Sequence, residues 1–64
     1  MNTTRQQIDK LMTAAVVALD MGRLHEVYED MTEARESNQI SAHDKRIFEL
    51  MFDAAAETIE ERAA

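Results

Sequence analysis

The chain has 64 residues, with 13 Asp and Glu against 7 Lys and Arg, a formal net charge of −6, and no Cys or Pro. This length allows one domain, residues 1–64, whose core is close to the lower limit for independent stability. The lack of Cys excludes disulfides and thiolate metal sites, so association between chains is the remaining support for so small a fold. The acidic balance argues against binding to nucleic-acid phosphates or to anionic membranes.

The first segment has the pattern of an amphipathic helix. Thr4 and Gln7 match a capping box, in which two side chains satisfy backbone amides at a helix start. Apolar residues then recur at helical spacing: Ile8, Leu11, Met12, Ala15 and Leu19. Gly22, the only Gly, is placed where a left-handed residue would end the helix. We therefore predict a first helix over residues 4–21.

The second segment combines an apolar stripe with an acidic ridge. The stripe consists of Leu24, Val27, Tyr28, Met31 and Ala34. The opposite side consists of Glu26, Glu29, Asp30, Glu33 and Glu36. Asn38 follows as a C-cap candidate, so the pattern predicts a second helix over residues 23–37.

The third segment begins at Ser41, which has the character of an N-cap, and Asp44 is suited to the first turn. Nine apolar residues follow one another around this helix: Leu50, Ala54, Ile47, Met51, Ala55, Phe48, Ile59, Phe52 and Ala56. They cover roughly 240° of its circumference, whereas one packing surface needs little more than 100°. We predict a helix over residues 42–62 that is either flanked by two other helices or shared with a second chain.

These patterns predict an all-α fold, a small three-helix domain that associates with itself. One alternative stays open, because a single Gly inside a helix costs only about 1 kcal/mol. Residues 4–37 could then form one long helix, and the resulting helical hairpin would dimerise as a four-helix bundle. No alternating apolar pattern or hairpin dipeptide predicts a strand.

Catalytic and metal-binding patterns are weak. His25 and Glu29 are four residues apart on one predicted helix, but two His without Cys fall short of a zinc site within one chain. No nucleophile stands near a base in a known motif. We therefore expect neither an enzyme nor a metal or other cofactor. The longest apolar run, Ala14 to Leu19, is too short to span a membrane, and a cytoplasmic protein is expected.

Two sets of residues are candidates for contacts with other proteins. The predicted apolar interface consists of Phe48, Met51, Phe52, Ala55, Ile59 and Tyr28. The predicted acidic partner surface consists of Glu26, Glu29, Asp30, Glu33, Glu49, Asp53 and Glu57. Large aromatic side chains are frequent at the centres of interfaces, and an acidic ridge is suited to a basic partner.

The sequence thus favours a non-catalytic protein–protein interaction module: an adaptor, a chaperone-like cap or an inhibitor of a larger protein, acting as a small helical oligomer with a dimer favoured. The larger partner could carry a basic surface. The alternative is an acidic mimic of nucleic acid that blocks a DNA- or RNA-binding protein, as a phage- or mobile-element-type inhibitor would. Direct binding to nucleic acid or to a membrane is not expected.

Overall fold

Three α-helices joined by two short turns form the fold. The computed structural model describes residues 3–63, with helices α1 (Thr3–Ala18), α2 (Met21–Glu36) and α3 (Ala42–Ala63). This confirms the predicted all-α, three-helix class, and the alternative of one helix over residues 4–37 is wrong. The three helices form a rod with Cα extents of 37 × 17 × 16 Å.

The first turn differs from the prediction, because Gly22 lies in the first turn of α2 and does not end α1. The left-handed position belongs to Leu19, whose φ is 53°. The Leu19 amide donates to the Val16 carbonyl over 3.1 Å, and the Asp20 amide donates to the Ala15 carbonyl over 3.0 Å. This pair of bonds is a Schellman motif, which satisfies the last carbonyls of a helix.

Asp20 explains why the chain reverses before Gly22. It is the N-cap of α2, and its Oδ1 accepts a hydrogen bond from the Arg23 amide over 3.0 Å. An Asp in this position stabilises a helix start by about 1 kcal/mol. The N-cap Asp20 therefore sets the boundary between α1 and α2. Leu19, just before it, adopts the left-handed conformation that was expected at Gly22.

The second turn follows the prediction more closely. Ser37 is the C-cap of α2, and Asn38 follows it in the left-handed conformation, with φ of 62°. Ser41 is the predicted N-cap of α3, and its Oγ accepts a hydrogen bond from the Asp44 amide over 3.0 Å. Between them Ile40 is buried at 3% exposure, which fastens the turn to the core.

The predicted capping box at the start of α1 is wrong, because Thr4 already lies inside the helix. Its hydroxyl instead donates to Gln39 Oε1 over 3.1 Å, which joins the start of α1 to the turn after α2. Arg5 and Asp44, near the starts of α1 and α3, form an ion pair at 3.5 Å. The rod therefore runs up, down and up again, with α1 and α3 parallel.

The core is entirely apolar in the described residues, and all three helices contribute to it. It consists of Ile8, Met12, Ala15, Leu24, Val27, Met31, Ala34, Ile40, Phe48, Ala55 and Ile59. Val16, Met21, Phe52 and Ala56 pack against it while remaining partly exposed. The helical spacing predicted nearly all of these positions; Ile40, in a turn, is the exception.

Candidate interaction surfaces

The junction between α1 and α3 is open along much of its length. Two adjoining depressions of about 330 Å³ and about 460 Å³ follow it, and Met51 lines both of them. We call this feature the α1/α3 groove. The first depression is lined by Met12, Thr13, Val16, Val17, Met51, Ala54 and Ala55. The second is lined by Arg5, Gln6, Asp9, Asp44, Ile47, Phe48 and Met51.

Small side chains are the reason that this junction does not close. On the α3 side of the first depression, Ala54 and Ala55 offer only methyl groups. Aromatic side chains, which fill such spaces most effectively, are absent from that lining. The first depression of the groove therefore stays accessible.

Large apolar side chains remain exposed beside the groove. Val17 is 77% exposed, Leu50 is 57% exposed and Met51 is 38% exposed. Leu50 is four residues before Ala54, so the two side chains occupy the same side of α3. Single exposed apolar residues are ordinary on protein surfaces, but several around one groove indicate a contact site.

The junction between α2 and α3 is closed by rings. The Phe52 ring packs against Tyr28 with centroids 5.0 Å apart and against His25 with centroids 5.8 Å apart, both tilted. Tilted aromatic pairs at these distances add about 0.5–1.5 kcal/mol beyond the burial of their area. Tyr28 and Phe52 thus stabilise this junction, whereas the first depression of the α1/α3 groove is lined on α3 by Met51, Ala54 and Ala55.

The predicted acidic residues are on the surface, and two of them lie beside the closed junction. Six of the seven are exposed and Glu49 is half-buried. Glu29 is four residues after His25, and Glu49 is three residues before Phe52, so one acid on each helix shares a side with a ring of this contact. Asp30 and Glu33 border a shallow depression of about 300 Å³ between α1 and α2. We call the seven residues the acidic surface.

The structure does not bring the predicted apolar interface together as one surface. Phe48, Ala55 and Ile59 are buried in the core of the chain itself, at 3%, 8% and 1% exposure. The physical reason is that α3 packs against two helices, which use most of its wide apolar arc. Phe52 is half-buried, while Met51 and Tyr28 are exposed at the α1/α3 and α2/α3 junctions respectively.

Two exposed residues were missing from the predicted interface. Leu50 belongs to the apolar arc of α3, yet of that arc it lies farthest around the helix from the core residue Phe48. This angular position could have predicted that Leu50 is exposed. Val17 is nine residues after Ile8, about half a turn away from the buried stripe of α1. At 77% exposure, this side chain is left largely uncovered by the described residues.

Groups for catalysis or metal binding do not converge over residues 3–63. No three His, Asp or Glu side chains in this part of the chain are close enough to hold a metal ion. The hydroxyl oxygen of Thr32 is the one buried side-chain polar atom there without a hydrogen-bond partner, which is too little to form a ligand site. The described helices also include none that is long and apolar enough to cross a membrane.

Comparisons with known proteins add no functional information. The sequence matches no protein-family model, and no curated protein and no solved structure is significantly similar to it. The function is therefore argued from the two surfaces alone.

Proposed function

We propose that this protein is a non-catalytic interaction module, an adaptor, cap or inhibitor that binds a larger protein while acting as a small helical oligomer. The observation that supports it is the exposure of Val17 and Leu50, at 77% and 57%, on a chain whose core is already complete. Apolar side chains that stabilise nothing within the chain are available for contact with another one.

The segregation of charge supports the same function. The acidic surface lies on α2 and the outer part of α3, whereas the groove lining holds the Arg5–Asp44 ion pair, Asp9 and otherwise uncharged, mostly apolar groups. One side is therefore suited to apolar contact, and the other to a basic partner that is attracted over a distance set by the ionic strength.

The alternative, an acidic decoy for a nucleic-acid-binding site, has a specific observation in its favour. Glu29 shares a side of α2 with His25, and Glu49 shares a side of α3 with Phe52, so this surface offers negative charge beside partly exposed rings. Nucleic-acid-binding grooves commonly present cations together with stacking partners, and they would meet phosphate-like charge here.

The two functions differ in where the partner binds and in how salt acts. Tagged protein is used to capture partners from the cells that produce it, at about 0.1 M and about 0.5 M salt, and the bound proteins are quantified by mass spectrometry. One variant carries Val17→Lys and Leu50→Lys. The other carries Glu26→Gln, Glu29→Gln, Asp30→Asn and Glu33→Gln, substitutions that keep the shape and remove the charge.

For an interaction module, we expect one larger protein to be enriched at both salt concentrations and to be lost from the apolar variant. For a decoy, the enriched protein disappears at high salt and from the neutralised variant, and the wild-type protein displaces labelled DNA or RNA from it. Absence of any protein that is enriched over an unrelated acidic helical control would contradict both functions.

A further inference from the structure

We propose that the α1/α3 groove is the contact between two copies of this chain, packed antiparallel about a two-fold axis beside Met51. This inference rests on the proposed function and deepens it, because it names the occupant of the apolar side. It leaves the acidic surface, apart from Glu57, outside the contact. A larger protein that binds only the dimer would then be lost together with the dimer when Val17 and Leu50 are replaced.

The exposed apolar groups are arranged for a self-complementary contact. Met51 lines both halves of the groove, and the exposed Leu50 shares its side of α3 with Ala54, one turn further along. A two-fold axis at this position brings Met51 of one copy against Met51 of the other. It also places the protruding Leu50 of each copy against the methyl-lined half of the opposite groove. Such an isologous contact requires only one kind of surface.

The charges on the outer side of α3 favour the antiparallel arrangement. Arg46, Leu50, Glu57 and Glu61 lie within an arc of roughly 60° on this helix, so the stripe passes from basic to acidic along its length. Arg46 and Glu57 are nearly equidistant from Met51, five residues before it and six after. Antiparallel packing about Met51 therefore places Arg46 of each copy near Glu57 of the other. Parallel packing would place like charges together, which is destabilising.

The size of this side is adequate for a stable dimer. Stable pairs bury about 800 Å² per chain. The long side of the rod, 37 by 17 Å between Cα atoms, offers roughly 600 Å² before side chains are added. Contact along most of its length therefore reaches the usual size. It would cover about a fifth of the 4414 Å² that the single chain exposes.

The first test uses purified protein without any partner. Mass is measured by light scattering and sedimentation from about 1 to 500 µM, a range that brackets ordinary homodimer affinities. We expect a dimer in the wild-type chain and at least a tenfold higher Kd for Leu50→Lys. Leu11→Lys is the matched control, because Leu11 is 41% exposed but lines the α1/α2 depression. This control should keep the wild-type Kd, with both variants as helical as the wild type by circular dichroism.

The second test addresses the orientation through a charge exchange. Arg46→Glu and Glu57→Lys should each raise the dimer Kd severalfold, and the double variant should return it toward the wild-type value. The two residues are about 16 Å apart along their own helix, too far to pair within one chain. Restoration in the double variant therefore reports a contact between copies.

Several outcomes would overturn the inference. These are a wild-type chain that stays monomeric at the highest concentration, equal weakening by Leu11→Lys and Leu50→Lys, and a double charge variant weaker than either single one. If the dimer contact is contradicted, the proposed function is still supported when the capture experiment enriches a larger protein that is lost from the Val17→Lys, Leu50→Lys variant. A dimer without any captured partner would support the dimer contact and contradict the proposed function.

Discussion

The two junctions of α3 differ in packing: the junction with α2 is closed, whereas the junction with α1 is open. Toward α2, Phe52 meets Tyr28 and His25, and the rings close the space between the helices. Toward α1, Met51, Ala54 and Ala55 border a groove that remains open. Both sides belong to the same apolar arc, so the difference arises from side-chain volume rather than from hydrophobicity.

This difference separates two uses of apolar residues. At the α2/α3 junction they stabilise the chain, because the rings cover one another's surfaces. At the α1/α3 junction they contribute less to stability within the chain, because their surfaces are only partly covered. A small domain with little stability to spare is expected to retain such an open side where another molecule covers it.

Of the substitutions that test the difference between the two junctions, truncation of Phe52 is expected to cause the largest loss of stability. Phe52→Ala removes the ring that packs against Tyr28 and His25, and it should lower the free energy of unfolding by about 2–4 kcal/mol, near the range for truncation of a large apolar side chain in a core. Its neighbour Met51 faces the open groove, and Met51→Ala should cost less than about 1 kcal/mol. Urea unfolding at a concentration where the chain is monomeric gives both values. Equal costs would mean that the two junctions are equally packed.

A smaller effect is expected from adding volume on the two sides. Ala15 is fully buried, so Ala15→Leu should overfill the core and destabilise the chain by about 1–3 kcal/mol. Ala54 is exposed on the groove, and Ala54→Leu should be tolerated within about 0.5 kcal/mol. Thermal unfolding measured by circular dichroism separates the two. A strong loss on Ala54→Leu would show that the groove closes in solution.

The smallest effect is expected on the acidic surface. Glu29 and Glu33, four residues apart on α2, repel each other by a few tenths of a kcal/mol, so Glu29→Gln should raise stability slightly at low salt. The gain should vanish at about 0.5 M salt, because exposed charges are then screened. Thr13→Ser, at an exposed position across the rod, serves as the control that should show no salt-dependent change. A gain that persists at high salt would assign the effect to helix propensity instead.

Helical periodicity predicted the number of helices and most of the core, because each stripe records which side of a helix is covered. The N-cap Ser41 was also predictable, because it acts through a contact within three residues. The predicted C-cap Asn38 is one residue late: Ser37 is the C-cap, and Asn38 takes the left-handed position after it. The first turn was misplaced because two local signals competed. Asp20 cannot begin a helix as its N-cap if Gly22, two residues later, ends one.

The candidate surfaces were harder to predict than the fold. A wide apolar arc indicates that α3 has more than one neighbour, but it does not say which residues the chain covers by itself. Phe48 and Ile59 were assigned to an interface on the strength of size and position, yet the chain buries both. Which residues remain exposed depends on how closely the helices approach, and that depends on Ala and aromatic residues distributed over all three segments.

The odd number of helices has a consequence for the ends of the chain. Because α1 and α3 run in the same direction, residues 3 and 63 are at opposite poles of the rod, separated by about 33 Å, the length of the 22-residue α3. A group attached at one end is therefore held away from a group attached at the other, as by a rigid spacer. An even-numbered helical hairpin would return both attachments to the same pole.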